Sequence, residues 1–171
     1  MNENEKNAIN YLLEMMVDFS PSDEKRNSIR DNFVDILRVD AIKDPNYFVK
    51  MLEDSYLNKN CEDLQLILIA IIYFRVYNQL FEDILIKLLK SDWINSHEDI
   101  VRILGELKSK DAIDTIYEVS LSRFKYLDYE FGHDSLKVKC IQALGSIDNS
   151  EAKEKLKLLS ESDDSLLKER A

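Results

Sequence analysis

Ile103-Leu104-Gly105-Glu106-Leu107 returns 40 residues later as Ala143-Leu144-Gly145-Ser146-Ile147. Downstream, Ala112, Ile116 and Val119 return as Ala152, Leu156 and Leu159. Each copy reads as two short amphipathic helices joined by a turn, with apolar residues three, four and seven apart. A unit that small cannot bury its apolar faces alone, so copies must stack. The expectation is an all-α chain, an α-solenoid of stacked antiparallel helix pairs with about 8–9 helices. It forms one domain over 1–171, with divergent helices over 1–60 and the repeat region over 61–171.

Composition agrees. Apolar residues make up 45% of the 171 and charged residues 33%, a globular balance. Three Gly and two Pro are too few for a sheet protein's turns. The net charge of -10 repels phosphate backbones, which argues against nucleic acid, and suits a basic protein partner. It also serves plain solubility, and both readings stay open. Cys61 and Cys140 make no disulfide framework. The polar, acidic start Met1-Asn2-Glu3-Asn4-Glu5-Lys6 is unlike a signal peptide. The longest apolar run, Leu66 to Phe74, falls short of the roughly 20 residues a membrane span needs. A soluble cytoplasmic protein without membrane association is expected.

Ile9, Leu12, Leu13 and Met16 form the stripe of a first helix ending near Phe19. Ser20-Pro21-Ser22-Asp23-Glu24 reads as a helix start, with Ser20 as cap and Pro21 in the first turn. Ile29, Phe33, Ile36 and Leu37 are its buried face. Asp44-Pro45 opens the next helix, carrying Phe48, Met51 and Leu52. Leu66 to Phe74 is apolar all round, and length favours a central helix over a buried strand. Phe81, Leu85 and Leu88 belong to a second helix of an earlier repeat. Ser96 can cap the helix of Ile100, Ile103, Leu104 and Leu107. Gly105 inside that stripe costs about 1 kcal/mol against alanine. Close approach of a neighbouring helix would offset it, and Gly145 is expected to act alike.

Leu136-Lys137, Cys140, Ala143-Leu144-Gly145, Ile147, Ala152, Leu156 and Leu159 resemble a HEAT repeat of the phycobilisome-lyase-like class, with Lys137 in place of that class's Arg. Asp164 to Ala171 resembles the opening of one more copy. The likeness is good over 134–171, fair over 96–122 and weak before 90. It implies a fold, not an activity.

Repeats of that class recur in roughly 30 residues. The surplus here is Ser122 to Asp134, where Phe124, Tyr126, Tyr129 and Phe131 interleave with Asp128 and Glu130. Insertions in repeat proteins map to loops, often on the binding face. Two readings are open: Tyr126, Leu127 and Phe131 pack over the core, or the aromatics and acids form a hot spot for a basic partner.

No phosphate-binding glycine motif occurs, and His97-Glu98-Asp99 lacks the second His of a zinc helix. His97 is expected to cap or lie exposed at a helix start. Both cysteines read as core residues. The pairs Asp23/Glu24, Glu53/Asp54, Glu62/Asp63, Glu82/Asp83 and Glu98/Asp99 mostly suit helix starts, where the dipole favours them. No catalytic constellation, cofactor or metal site is expected.

Residues 1–60 carry a net -4, 61–95 carry -2, 96–134 carry -4 and 135–171 carry 0. The likeness implies that second helices line a concave side, displaying Glu82, Asp83, Asp114, Tyr117 and Glu118. With Tyr126, Asp128, Tyr129 and Glu130 of the insertion, these are the candidate partner-binding residues. The expected function is that of a protein-binding module resembling small bacterial HEAT-repeat immunity proteins. Such a protein, an antitoxin, would capture a basic toxin domain such as a nuclease. A general scaffold with incidental acidity is the alternative. An enzyme or lyase accessory is a third reading, for which no pocket residues are found.

Overall fold

The computed structural model describes residues 1–16, 22–129 and 131–171. Among the described residues there are ten α-helices and no strand. They are α1 Glu3–Met15, α2 Asp23–Leu37, α3 Pro45–Leu57, α4 Cys61–Phe74, α5 Glu82–Leu89, α6 His97–Glu106, α7 Ile113–Leu121, α8 Gly132–Ile147, α9 Ser150–Ser160 and α10 Ser165–Arg170. The all-α class is as expected, but eight to nine helices is too few. The additional one is α10, short yet fully formed. The Asp164 carboxylate accepts from the N–H groups of Leu166 and Leu167, each at 3.1 Å, and Leu167 is buried. No helix among the described residues is long and apolar enough to cross a membrane.

The chain divides into two compact units, Met1–Val76 and Tyr77–Ala171. Within the first unit α3 and α4 pack together.

In the first unit α1 packs on α2 and α4. The apolar run is helical, as its length suggested. Asn60 Oδ1 accepts from the Asp63 N–H at 3.0 Å and opens α4. Leu64, Ile67, Leu68, Ala70 and Ile71 are buried, while Leu66, Ile69 and Ile72 are half-buried. Each fully buried Leu or Ile contributes about 1.5–3 kcal/mol. Asp44 caps α3 with Pro45 in its first turn, as read. At α2 the cap is Ser22, which accepts from the Lys25 N–H at 3.3 Å. Phe19, Ser20 and Pro21 lie outside the described residues. Leu13, placed on the first stripe, is 38% exposed, and Ala8 is buried with Ile9 and Leu12 instead.

In the second unit α6 packs on α8 and α8 on α10, while α5 meets α7 and α7 meets α9. Cross-contacts join α5 to α6, α7 to α8, and α9 to both α8 and α10. The α6–α8 contact is the most extensive in the molecule. Gly105 of α6 meets Ala143 of α8 there, and the Ser135 hydroxyl of α8 donates to the Glu98 carboxylate of α6 at 3.1 Å. Ile103, Leu104, Leu136, Cys140, Leu144 and Ile147 of the two helices are buried. Both copies of the downstream triplet point inward, with only Leu156 partly exposed. Gly105 is buried, and a Cβ there would meet the Cα and Cβ of Ala143 at 3.0 Å. Gly145 does not match this. It faces solvent, and a Cβ there would have nothing within 4 Å. The repeat copies the residue, but only α6 has a following helix across its glycine.

Scarce glycine leaves its mark at the helix ends. Arg38, Lys59, Arg75, Lys108 and Asp148 hold left-handed backbone where a helix stops, and no glycine has positive φ. At Lys108 the local N–H donates to the Gly105 carbonyl and the next N–H, of Ser109, to that of Leu104, each at 3.1 Å. This paired closure satisfies carbonyls that a helix end leaves free.

Candidate functional site

The first turns of α2, α4, α5 and α6 hold the carboxylate pairs at 23/24, 62/63, 82/83 and 98/99, as the helix dipole favours. Glu53 and Asp54 sit mid-helix on α3. On α5, Asp83 is exposed, and on α7, Asp114 and Glu118 are exposed. Glu82 is half-buried because its carboxylate accepts from the Ser109 hydroxyl. Asp83 and Glu118 have no ion pair among the described residues. Asp114 is different. Lys155 of α9 reaches it at 2.6 Å, and the same ammonium lies 4.9 Å from the centre of the Tyr117 ring. The carboxylate holds the Lys155 ammonium above its ordinary pKa. The neutral last copy thus returns a cation to the acidic helices.

The insertion divides its residues between two tasks. Its first half is pinned down. The Phe124 ring lies 3.8 Å, centre to centre, from the His97 imidazole. The Tyr126 ring stacks at 5.6 Å, and its hydroxyl is hydrogen-bonded to His97 Nδ1 at 2.9 Å. Leu127 is buried within a single 3-10 turn, Lys125–Leu127. The Phe124 N–H donates to His133 Nε2 at 3.2 Å, fastening the start of the loop to α8. Gly132 is required here, since a Cβ would lie 2.5 Å from the Leu127 carbonyl oxygen and 2.9 Å from the Tyr129 ring.

The second half faces out. Tyr129 is 62% exposed and Phe131 is 71% exposed. Asp128 is exposed but paired with Arg123 at 3.2 Å. Glu130 lies outside the described residues. Of the residues read as packing, Tyr126 and Leu127 do so and Phe131 does not. Tyr126 is therefore a structural residue and a poor contact candidate. Residues 132–134, counted with the insertion, are already the first turn of α8.

His97 corrects the expectation of an exposed or capping residue. It is fully buried at the start of α6, because the insertion folds over it. Burial pushes its pKa down to about 4, with the Ser91 backbone opposing weakly. Its Nε2 is buried without a hydrogen bond. Ser96, at the N-cap position, makes no side-chain cap; its hydroxyl turns to Asn95 at 3.4 Å. Sequence spacing held no sign of the His97 cluster, since Phe124 and Tyr126 lie on a loop whose path no periodicity fixes. Burial pushes the Tyr126 phenol up to about 12 and raises the carboxyl of Asp99.

Cys140 is buried in the α6–α8 contact, and burial pushes its thiol far up, so it is not a ready nucleophile. Cys61 is only half-buried, at the first position of α4, and so is not the core residue expected. No group of three or more His, Cys, Asp or Glu converges on a common point among the described residues. Lys137 joins α8 to the start of α10 by pairing with Asp164 at 2.6 Å. The described residues present exposed carboxylates on α5 and α7 and exposed aromatics on a braced loop. No protein-family model, curated protein or solved structure matches this chain.

Proposed function

We propose that the protein is a binding module that captures a basic protein partner through an acidic surface, in the manner of an immunity protein that neutralises a toxin domain. In this reading the helix pairs are HEAT-like solenoid units. Support comes from the two rows of contacts, α6–α8–α10 and α5–α7–α9, in which each helix meets the second one along, although α6 and α7 of one copy barely touch. The observation that carries the function is the set of exposed carboxylates Asp83, Asp114 and Glu118 on two helices that touch, in a chain of net charge -10. Fixed carboxylates on rigid elements speed encounter with a basic partner and make it salt-sensitive. The protein acts inside the cell, where such a partner would be held in check.

The test is co-expression with any basic protein encoded beside its gene. A complex whose association slows with salt, and slows again when Asp83 and Glu118 become amides, is the expected result. Absence of a complex with any such neighbour would end the immunity reading. One observation favours the scaffold alternative: Asp114 and Asp128 already have internal cations, so part of the acidity is spent within the fold.

A further inference from the structure

Two polar stripes border the seam between α6 and α8. Glu98, Arg102 and Glu106 stand one turn apart on α6, and Ser135, Lys139, Gln142 and Ser146 follow the same pitch on α8. The Glu98–Ser135 hydrogen bond and the Gly105–Ala143 contact fix a parallel register. In it Lys139 is level with Arg102, 37 residues on, as Ser135 is with Glu98. Between the stripes runs a groove of about 430 Å³, with Gly105 and Ala143 at its base.

This register sets two cations opposite each other across the groove, where like charges repel. Lys43, Lys137, Lys153 and Lys155 each rest on a carboxylate. Arg102 and Lys139 have no ion pair among the described residues, although Lys139 is half-buried. Glu106, one turn from Arg102, pairs with neither. Asp99 feels both cations, but burial outweighs their pull and leaves its carboxyl raised. What the two cations lack is an anion between them. Gln142 stands exposed beside them with its amide unengaged among the described residues. The Ser146 hydroxyl is turned back on the Gln142 carbonyl at 2.9 Å and adds no donor. An arginine fork and a lysine ammonium together suit the oxygens of one carboxylate or phosphate. The groove has the size of a small-molecule site. Glu106 and the net charge of -10 repel a long polyanion, so a nucleic-acid strand is a poor occupant.

We propose that the groove between α6 and α8 binds a small oxyanion, a carboxylate or phosphate group held between Arg102 and Lys139 with the Gln142 amide as a further donor. The site uses none of the carboxylates of α5 and α7, so it stands or falls apart from the basic-partner reading.

The experiment is an amide-shift titration of the isotopically labelled full chain with sodium phosphate and with sodium acetate, against sodium chloride at equal ionic strength. Saturable shifts over residues 98–106 and 135–146 are expected with one of the two. Phosphate preferred marks a phosphate ester as the natural ligand, and acetate preferred marks a carboxylic acid. Arg102→Gln and Lys139→Gln should each weaken binding about tenfold. Glu106→Gln should tighten it by removing a repelling charge. In chloride, Arg102→Gln and Lys139→Gln should hold or raise the thermal midpoint, since each relieves the repulsion between the two cations. A lowered midpoint would mean that the fold already neutralises the cation, and would overturn the proposal. So would shifts no different from those with chloride, binding unchanged in both variants, or an oligothymidylate that outcompetes phosphate at these residues.

Discussion

A Cβ on Gly105 would touch both the Cα and the Cβ of Ala143 at 3.0 Å, so α6 and α8 meet backbone to backbone at this point. Gly105→Leu is therefore expected to destabilise the protein by about 3 kcal/mol or more, since overpacking must part the two helices. Gly145→Ala should instead stabilise it by about 0.5–1 kcal/mol, by helix propensity at an exposed site. Denaturant unfolding of the two variants checks both signs.

The His97 cluster gives stability a defined pH dependence. An unfolded His titrates near 6.5 and the folded one near 4, so between these values the unfolded chain binds more protons. Stability should be full above pH 6.5 and decline on acidification to pH 4, by up to roughly 3 kcal/mol. Asp99, raised by burial, acts with the opposite sign at the acid end. Tyr126 adds an alkaline limb, with stability lost as pH rises from 10 to about 12. Unfolding curves of the parent and of His97→Leu, which should lack the decline below pH 6.5, test this.

Tyr126 and Tyr129 should respond unequally, although they are three residues apart. Tyr126→Phe strips His97 Nδ1 of its partner at a cost of about 1–3 kcal/mol. Tyr129→Ala, losing a mostly exposed ring, should move stability by about 0.5 kcal/mol or less. Thermal unfolding separates them.

Lys108→Gly should stabilise the protein by about 0.5–1 kcal/mol, since glycine adopts the left-handed backbone freely while its looser unfolded chain offsets part of the gain. A loss on denaturant unfolding would show that the Lys108 side chain matters more than its backbone.

The helices were legible because their signals are local. Asp44-Pro45 announced α3, and the spacing of Ile103, Leu104 and Leu107 announced the buried face of α6. The candidate site was legible only in part. The carboxylates of α5 and α7 were placed outward through the repeat likeness; Asp83, Asp114 and Glu118 are exposed, while Glu82 turns to Ser109. Neither the internal pairing of Asp114 nor the burial of His97 could be read, because each depends on residues far along the chain. Gly145 misled because a repeated residue implies a repeated neighbour, and past α8 the next helix crosses elsewhere.

Lys155 sets a threshold for anything that approaches Asp114. It rests on that carboxylate and over Tyr117, where a visiting ammonium would have to sit. A surface pair of this kind is worth little, so in the proposed reading the carboxylate is half spoken for before any partner arrives.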